Sequence, residues 1–315
     1  MQCENNINRQ VIPKMLFDIS NAAIEMLPND LFQQKQVTVS VLRIDKIHPV
    51  VSGNKLFKLH FFLQEALQTS HKTILTFGGA YSNHLAATAY ACSVLGLKSI
   101  GIIRGEEPAE LSHTLLQCLN EGMQLKFISR QQYAENDDAE FIQSLKNEFG
   151  ECTLVPEGGY HPLGAKGAAL IMDLVGKNYS HICTAMGTAT TLAGLLRRAE
   201  PFQKIIGIPV LKGMTDMEER LLHLTGNKTL PGNFDLLDDY HFGGYAKKTD
   251  ELIQFMNQCW QQYQLPLDFV YTAKMLYAVT DQVKKDRFPK GSNILCLHTG
   301  GLQGNRSLPA NTLNF

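Results

Sequence analysis

Short β-branched runs alternate along the chain with longer segments of helical period. The strand-like runs are Val37–Ile44, Thr73–Phe77, Ser99–Ile103, Leu125–Ile128, His181–Thr184, Lys204–Ile208 and Asn293–His298. The helix-like segments are Leu59–Leu67, Leu85–Leu95, Leu111–Glu121, Asp138–Phe149, Ala165–Leu174, Leu192–Glu200, Asp250–Tyr263 and Met275–Lys285. This order predicts an α/β fold of mostly parallel sheets with helices on their faces. Ligands of such folds gather where strands end and helices begin, so those junctions are where chemistry is sought.

Composition narrows the classes. At 315 residues the chain is about two domains long, and 44% hydrophobic against 19% charged excludes low-hydrophobicity disorder. The net charge of −1, with no basic run, argues against a nucleic-acid partner. Thr73–Leu97 is free of Lys, Arg, Asp and Glu, but Gly78, Gly79, Ser82, Asn83 and His84 within it make a membrane span costly. Met1–Asn6 lacks an apolar signal core, so the expectation is a cytoplasmic chain. Seven cysteines, including Cys3, nowhere form Cys-x-x-Cys, and the histidines are dispersed; reduced, mostly buried thiols and no metal are expected.

Three junctions carry unusual residues. Thr76–His84 joins an apolar strand to an Ala-rich helix through Gly78-Gly79 and Ser82-Asn83; helix capping accounts for one polar residue there but not for Tyr81 and His84. Ala185–Gly194 opens a helix with small and hydroxyl residues, a phosphate-binding arrangement that a Thr-rich cap would also produce. No Gly-Lys-Ser/Thr P-loop and no Gly-x-Gly-x-x-Gly occurs, which points away from nucleotides. The last strand ends in Thr299-Gly300-Gly301, which suits close backbone approach to a ligand. One lysine completes the set. Lys55 follows Gly53-Asn54 and sits among Leu56, Phe57 and Leu59, where an amine loses preference for its charged form; Lys58 is read as an ordinary surface lysine on another helical face.

Taken in order from Arg43 to Gly301, these motifs resemble the D-cysteine desulfhydrase and 1-aminocyclopropane-1-carboxylate deaminase family. Its members are pyridoxal-phosphate (PLP) enzymes of the tryptophan-synthase-β fold type. The resemblance implies two α/β domains, a large one (1–58 with 167–315) and an inserted small one (59–166), with the cofactor between them. It implies that Lys55 forms the Schiff base, that Asn83 faces the cofactor's phenolic oxygen, and that Ser82 works near the substrate carboxylate, assisted by His84 with Tyr81 close by. Gly187, Thr188, Ala189, Thr190 and Thr191 would hold the phosphate, and Tyr271 and Tyr245 would approach the substrate. A small amino-acid substrate and a homodimer are implied as well.

Three positions depart from the family pattern: Phe57 for Arg, Tyr81 for Gln and Ala273 for Gly. Thr272 is the informative one, because ring-opening deaminases carry Glu there, against the pyridine nitrogen, and desulfhydrase-like members carry Thr. A neutral Thr272 or Thr299 suffices for expelling a thiol, whereas opening a cyclopropane wants a deeper electron sink. The expectation is therefore β-elimination from a small amino acid, D-cysteine first, giving a 2-oxo acid, ammonia and sulfide. Ring opening of 1-aminocyclopropane-1-carboxylate is the alternative, and a non-catalytic PLP- or phosphate-ligand-binding homologue the further one. A serine hydrolase would want Gly-x-Ser-x-Gly, which the sequence lacks.

Overall fold

In the structure, a computed structural model, residues 16–51 and 53–315 are described; Cys3, the Met1–Asn6 reading and Ser52 lie outside them. The strands are β1 (Ala23–Met26), β2 (Thr38–Arg43), β3 (Thr73–Gly78), β4 (Lys98–Arg104), β5 (Gln124–Ile128), β6 (Thr153–Val155), β7 (His181–Met186), β8 (Lys204–Pro209), β9 (Phe234–Leu236) and β10 (Asn293–His298). They form a six-stranded sheet of order β1-β2-β10-β7-β8-β9 and a four-stranded sheet of order β5-β4-β3-β6. Every pairing is parallel except β1 with β2. This is a two-sheet, mostly parallel α/β architecture, as expected from the sequence.

Helices cover both faces of the larger sheet, so its strands read as continuous apolar runs. Along β10, Ile294 and Cys296 enter one core while Leu295 and Leu297 enter the other, the two-residue period of a strand buried on both sides. The smaller sheet is sandwiched likewise: Leu75, Phe77, Ile100 and Ile102 face one cluster, and Ile103 faces another with Leu85 and Leu115. One core runs from Leu42 and Leu295 of the larger sheet to Ile74 and Val155 of the smaller, so the sheets share buried surface.

The expected boundaries at 58/59 and 166/167 fall inside two helices, Asn54–Gln68 and Pro162–Ala168. These helices touch: a Cβ at Gly167 would stand 2.0 Å from the Phe57 carbonyl oxygen. Phe57 itself is fully buried. The described cysteines are all buried free thiols. Among the described residues no helix is long and apolar enough to cross a membrane, and no group of three His, Cys, Asp or Glu is placed to hold a metal.

Candidate active site

Gly53 sets the geometry of the central lysine. It sits at φ +67°, and a Cβ there would lie 1.9 Å from the Thr299 carbonyl oxygen. Only glycine lets the start of helix Asn54–Gln68 close onto the end of β10, where the Asn54 N–H donates to that same oxygen at 3.3 Å. The Asn54 side chain spans the site: its Nδ2 donates to Thr191 Oγ1 at 2.9 Å, and its Oδ1 accepts from Lys55 Nζ at 2.8 Å. Lys55 Nζ lies 5.9 Å from the centroid of the Tyr271 ring. Burial lowers the Lys55 amine to about 8, against the opposing pull of the Asp268 carboxylate. Asn54 had drawn no separate attention in the sequence.

Lys58 is a correction. The helix begins at Asn54 rather than Leu59, so Lys55 and Lys58 are three residues apart on one face. Lys58 is 5% exposed, and its Nζ donates to the Gly158 carbonyl at 3.2 Å. Burial, and then the charge of Lys55, hold its amine well below the usual lysine range. Gly158 packs on Thr188, with the position of a Cβ only 3.1 Å from Thr188 Cγ2, so Lys58 faces the turn that follows β7.

That turn, Gly187–Thr191, leads from β7 into the helix Thr190–Leu196. Ala189 takes a left-handed conformation at φ 64°, which bends the chain into a nest of N–H groups, and the Thr188 and Thr190 hydroxyls are 2.9 Å apart. Backbone donors, hydroxyls and the Lys58 amine together make an anion cradle.

On the opposite wall, Ser82 caps helix Asn83–Leu95 by accepting from the Leu85 N–H at 3.3 Å. The Asn83 Oδ1 is buried without a hydrogen-bond partner among the described residues. Thr76 Oγ1 gives its proton to the Val155 carbonyl at 2.7 Å, so the 2.9 Å contact from His84 Nε2 makes that nitrogen the donor. His84 Nδ1 is left as an unpartnered buried acceptor, and burial, then the neighbouring lysines, push the ring down to about 3: this histidine is neutral. Tyr81 is exposed beside His113, ring centroids 5.7 Å apart.

Thr272 is not among the residues that line the cavity. It is fully buried at the start of helix Thr272–Lys284, and its Oγ1 donates to Asp268 Oδ1 at 2.7 Å. Asp268 also accepts from the N–H groups of Val270, Tyr271 and Thr272 at 2.8–3.0 Å, so Thr272 belongs to this cap and stands off the cavity wall. The cap holds Tyr271 in place. Burial, then Tyr245, keeps the Tyr271 phenol well above its ordinary range, and the two rings meet edge to face at 6.2 Å. Tyr245 rides on a loop held by Lys274, a fully buried lysine whose Nζ donates to the His241 carbonyl at 2.9 Å and the Gly244 carbonyl at 2.8 Å.

These walls enclose a cavity of about 480 Å³. Lys55, Tyr81, Ser82, Asn83, His84, Gly187, Thr188, Ala189, Thr190, Thr191, Tyr245, Tyr271 and Thr299 all line it. Sequence reasoning missed Lys58, Arg104 and Glu157 among the lining groups. Arg104 ends β4 and Glu157 follows β6, so the rule of strand carboxyl ends was the available signal.

A PLP cofactor presents an aldehyde and a phosphate. The cavity offers an amine that sheds its proton near pH 8, an anion cradle backed by a second lysine, and the orphaned Asn83 oxygen. Comparison with known proteins points the same way. The family model for pyridoxal-phosphate dependent enzymes matches residues 29–300. A Pyrococcus abyssi protein provisionally named 1-aminocyclopropane-1-carboxylate deaminase is 30% identical over 300 residues, covering 89% of each chain. A Thermotoga maritima protein of the same provisional name is 31% identical over 84% of this chain and 89% of its own. A crystal structure of a 1-aminocyclopropane-1-carboxylate deaminase homologue superposes with a TM-score of 0.77 at 28% identity, over 92% of both chains. Threonine deaminase from Solanum lycopersicum, at 15% identity and a TM-score of 0.66, shares the fold. The chain thus belongs to the pyridoxal-phosphate dependent enzyme family.

Proposed function

We propose that this enzyme catalyses β-elimination from a small amino acid, D-cysteine first, so that the amino acid and one water give pyruvate, ammonia and hydrogen sulfide. The observation that carries the reading is Lys55: an amine brought to about 8, directed at Tyr271 within a cavity that also holds an anion cradle. When bound, PLP supplies the electron sink for a carbanion at the substrate α-carbon. Lys55 Nζ is the group that holds the cofactor aldehyde and afterwards accepts the α-proton. Tyr271, whose phenol keeps its proton, is suited to donate rather than abstract. Ser82 and Asn83 orient the substrate carboxylate at the start of helix Asn83–Leu95, and Thr188, Thr190, Thr191 and Lys58 hold the phosphate.

Elimination is favoured over ring opening because the wall near β10 carries the neutral Thr299, and Thr272 is neutral and turned into the Asp268 cap. Among the described residues, Glu157 is the sole carboxylate lining the cavity. Deamination of 1-aminocyclopropane-1-carboxylate is the second reading, supported by the provisional names of the relatives. The same reading divides the chain into 1–58 with 167–315 and 59–166, places it in the cytoplasm, and makes it a homodimer, which sedimentation of the purified protein tests.

The deciding assay supplies each substrate to the holoenzyme: pyruvate from D-cysteine supports the proposal, and 2-oxobutanoate from the cyclopropane acid with no pyruvate replaces it. Lys55→Ala removes the visible cofactor absorption and prevents borohydride from fixing cofactor to the chain. Retention of both would show that another group holds the cofactor.

A further inference from the structure

Two charged groups in the cavity have no part in the chemistry above. Arg104, exposed at the end of β4, and Glu157, half-buried after β6, both line it. Neither makes an ion pair with a described residue. Their neighbourhood is shared. The Arg104 guanidinium stands 5.8 Å from the centroid of the Tyr133 ring, and burial, then the nearby Glu157 carboxylate, push the Tyr133 phenol up. Both charges act on the Tyr245 and Tyr133 hydroxyls, in opposite senses. Tyr245, on which both charges act, packs on Tyr271, the ring that Lys55 Nζ approaches to 5.9 Å.

Opposite charges in one pocket that leave each other unpaired are available to a ligand carrying both signs. We propose that Arg104 and Glu157 form a distal subsite that reads a second amino-acid head borne by the leaving sulfur, its carboxylate on Arg104 and its ammonium on Glu157. The guanidinium fork suits a carboxylate, and a carboxylate oxygen accepts from an ammonium. The proposal rests on the β-elimination reading and names its substrate class: two amino acids joined through sulfur. With lanthionine, the Cβ–S bond breaks and sulfur leaves as a thiolate with the bonding pair. The α-proton passes to Lys55 Nζ. The three-carbon remainder takes up one water to give pyruvate and ammonia, and cysteine is released once the thiolate is protonated.

The test compares lanthionine, S-carboxymethylcysteine and S-methylcysteine, each as a mixture of configurations, with the holoenzyme. Binding is read from the change in cofactor absorption and turnover from pyruvate. Wild type binds lanthionine roughly tenfold or more tighter than S-methylcysteine, the effect of one well-made charge-assisted hydrogen bond or better. In Arg104→Gln and in Glu157→Gln the ratio of lanthionine to S-methylcysteine binding falls about tenfold, and Arg104→Lys restores part of it. The subsite is wrong if wild type binds the three ligands alike, if S-carboxymethylcysteine matches lanthionine, or if the variants leave the ratio within twofold. Should D-cysteine, assayed alongside, also yield no pyruvate, the elimination reading fails while the order of binding still decides the subsite.

Discussion

Lys274 gives the sharpest test of how the cavity is held together, because replacing it separates local from global stability. Lys274→Met keeps the length of the side chain and removes its donors. The loop it holds is under backbone constraint: Phe242 and Ala246 are left-handed at φ 50° and 53°, and Gly243 and Gly244 lie at 92° and 119°. Without the ammonium, the Gly244 carbonyl keeps only the Lys247 N–H at 3.2 Å and the His241 carbonyl only the Gly244 N–H at 3.0 Å, so each loses one of two hydrogen bonds at about 1 kcal/mol net apiece. Against this, methionine abolishes a desolvation cost. Burial brings Lys274 down to about 8 from 10.5, worth about 3 kcal/mol. The two effects nearly cancel, so global stability in urea should change by only about 1–2 kcal/mol. The loop has no such compensation. Loss of two hydrogen bonds of about 1 kcal/mol net each raises its open population roughly thirtyfold. Lys247 and Lys248 lie in that segment, so trypsin under native conditions reports the opening directly. Cleavage after these lysines should accelerate at least tenfold, and kcat/KM for the best substrate should fall roughly tenfold as Tyr245 leaves Tyr271. Cleavage and kcat/KM both within twofold of wild type would refute the latch.

Other outcomes follow from the same geometry. The rate of PLP capture by apoenzyme should rise with pH around a midpoint near 8, where Lys55 loses its proton, and Asp268→Asn should move that midpoint lower. Apoenzyme should also gain stability between about pH 8 and 10.5. Across that window the unfolded chain keeps the proton that folded Lys55 has given up, so a proton-linked gain appears as pH rises; a flat urea midpoint there counts against it. Lys58→Met should weaken phosphate retention, read as at least tenfold faster cofactor loss on dialysis, with Lys55 absorption intact when PLP is in excess. Gly53→Ala should destabilise by about 2–4 kcal/mol, combining a left-handed alanine with overpacking against the Thr299 carbonyl, measured by urea unfolding.

The strands that run through both cores were legible because burial on two faces leaves a continuous apolar run. Asn293–His298 coincides with the reading, and β7 and β8 extend it only to Met186 and Pro209. Ala23–Met26, Thr153–Val155 and Phe234–Leu236 are three or four residues long, too short to show a period. The junction residues were legible because their types are costly away from a purpose. Lys58 misled because the helix was started five residues late, which rotated it to the wrong face. The partner of Thr272 was not legible: Asp268 is four residues away, and the motif does not reveal the hydrogen bond between them. Lys274 and Arg104 look like surface cations in one dimension; burial by a distant loop and position on a cavity wall are tertiary facts.

The placement of β10 has a consequence for biosynthesis. This strand, residues 293–298, lies between β2 and β7, so until it arrives the larger sheet is two fragments with facing open edges. The Thr299 carbonyl that receives the start of the Lys55 helix arrives with it. A nascent chain therefore cannot assemble a competent pocket before residues 293–299 have been made; cofactor loading follows the arrival of this strand, and the waiting edges are where a stalled or truncated product would be recognised by chaperones or aggregate.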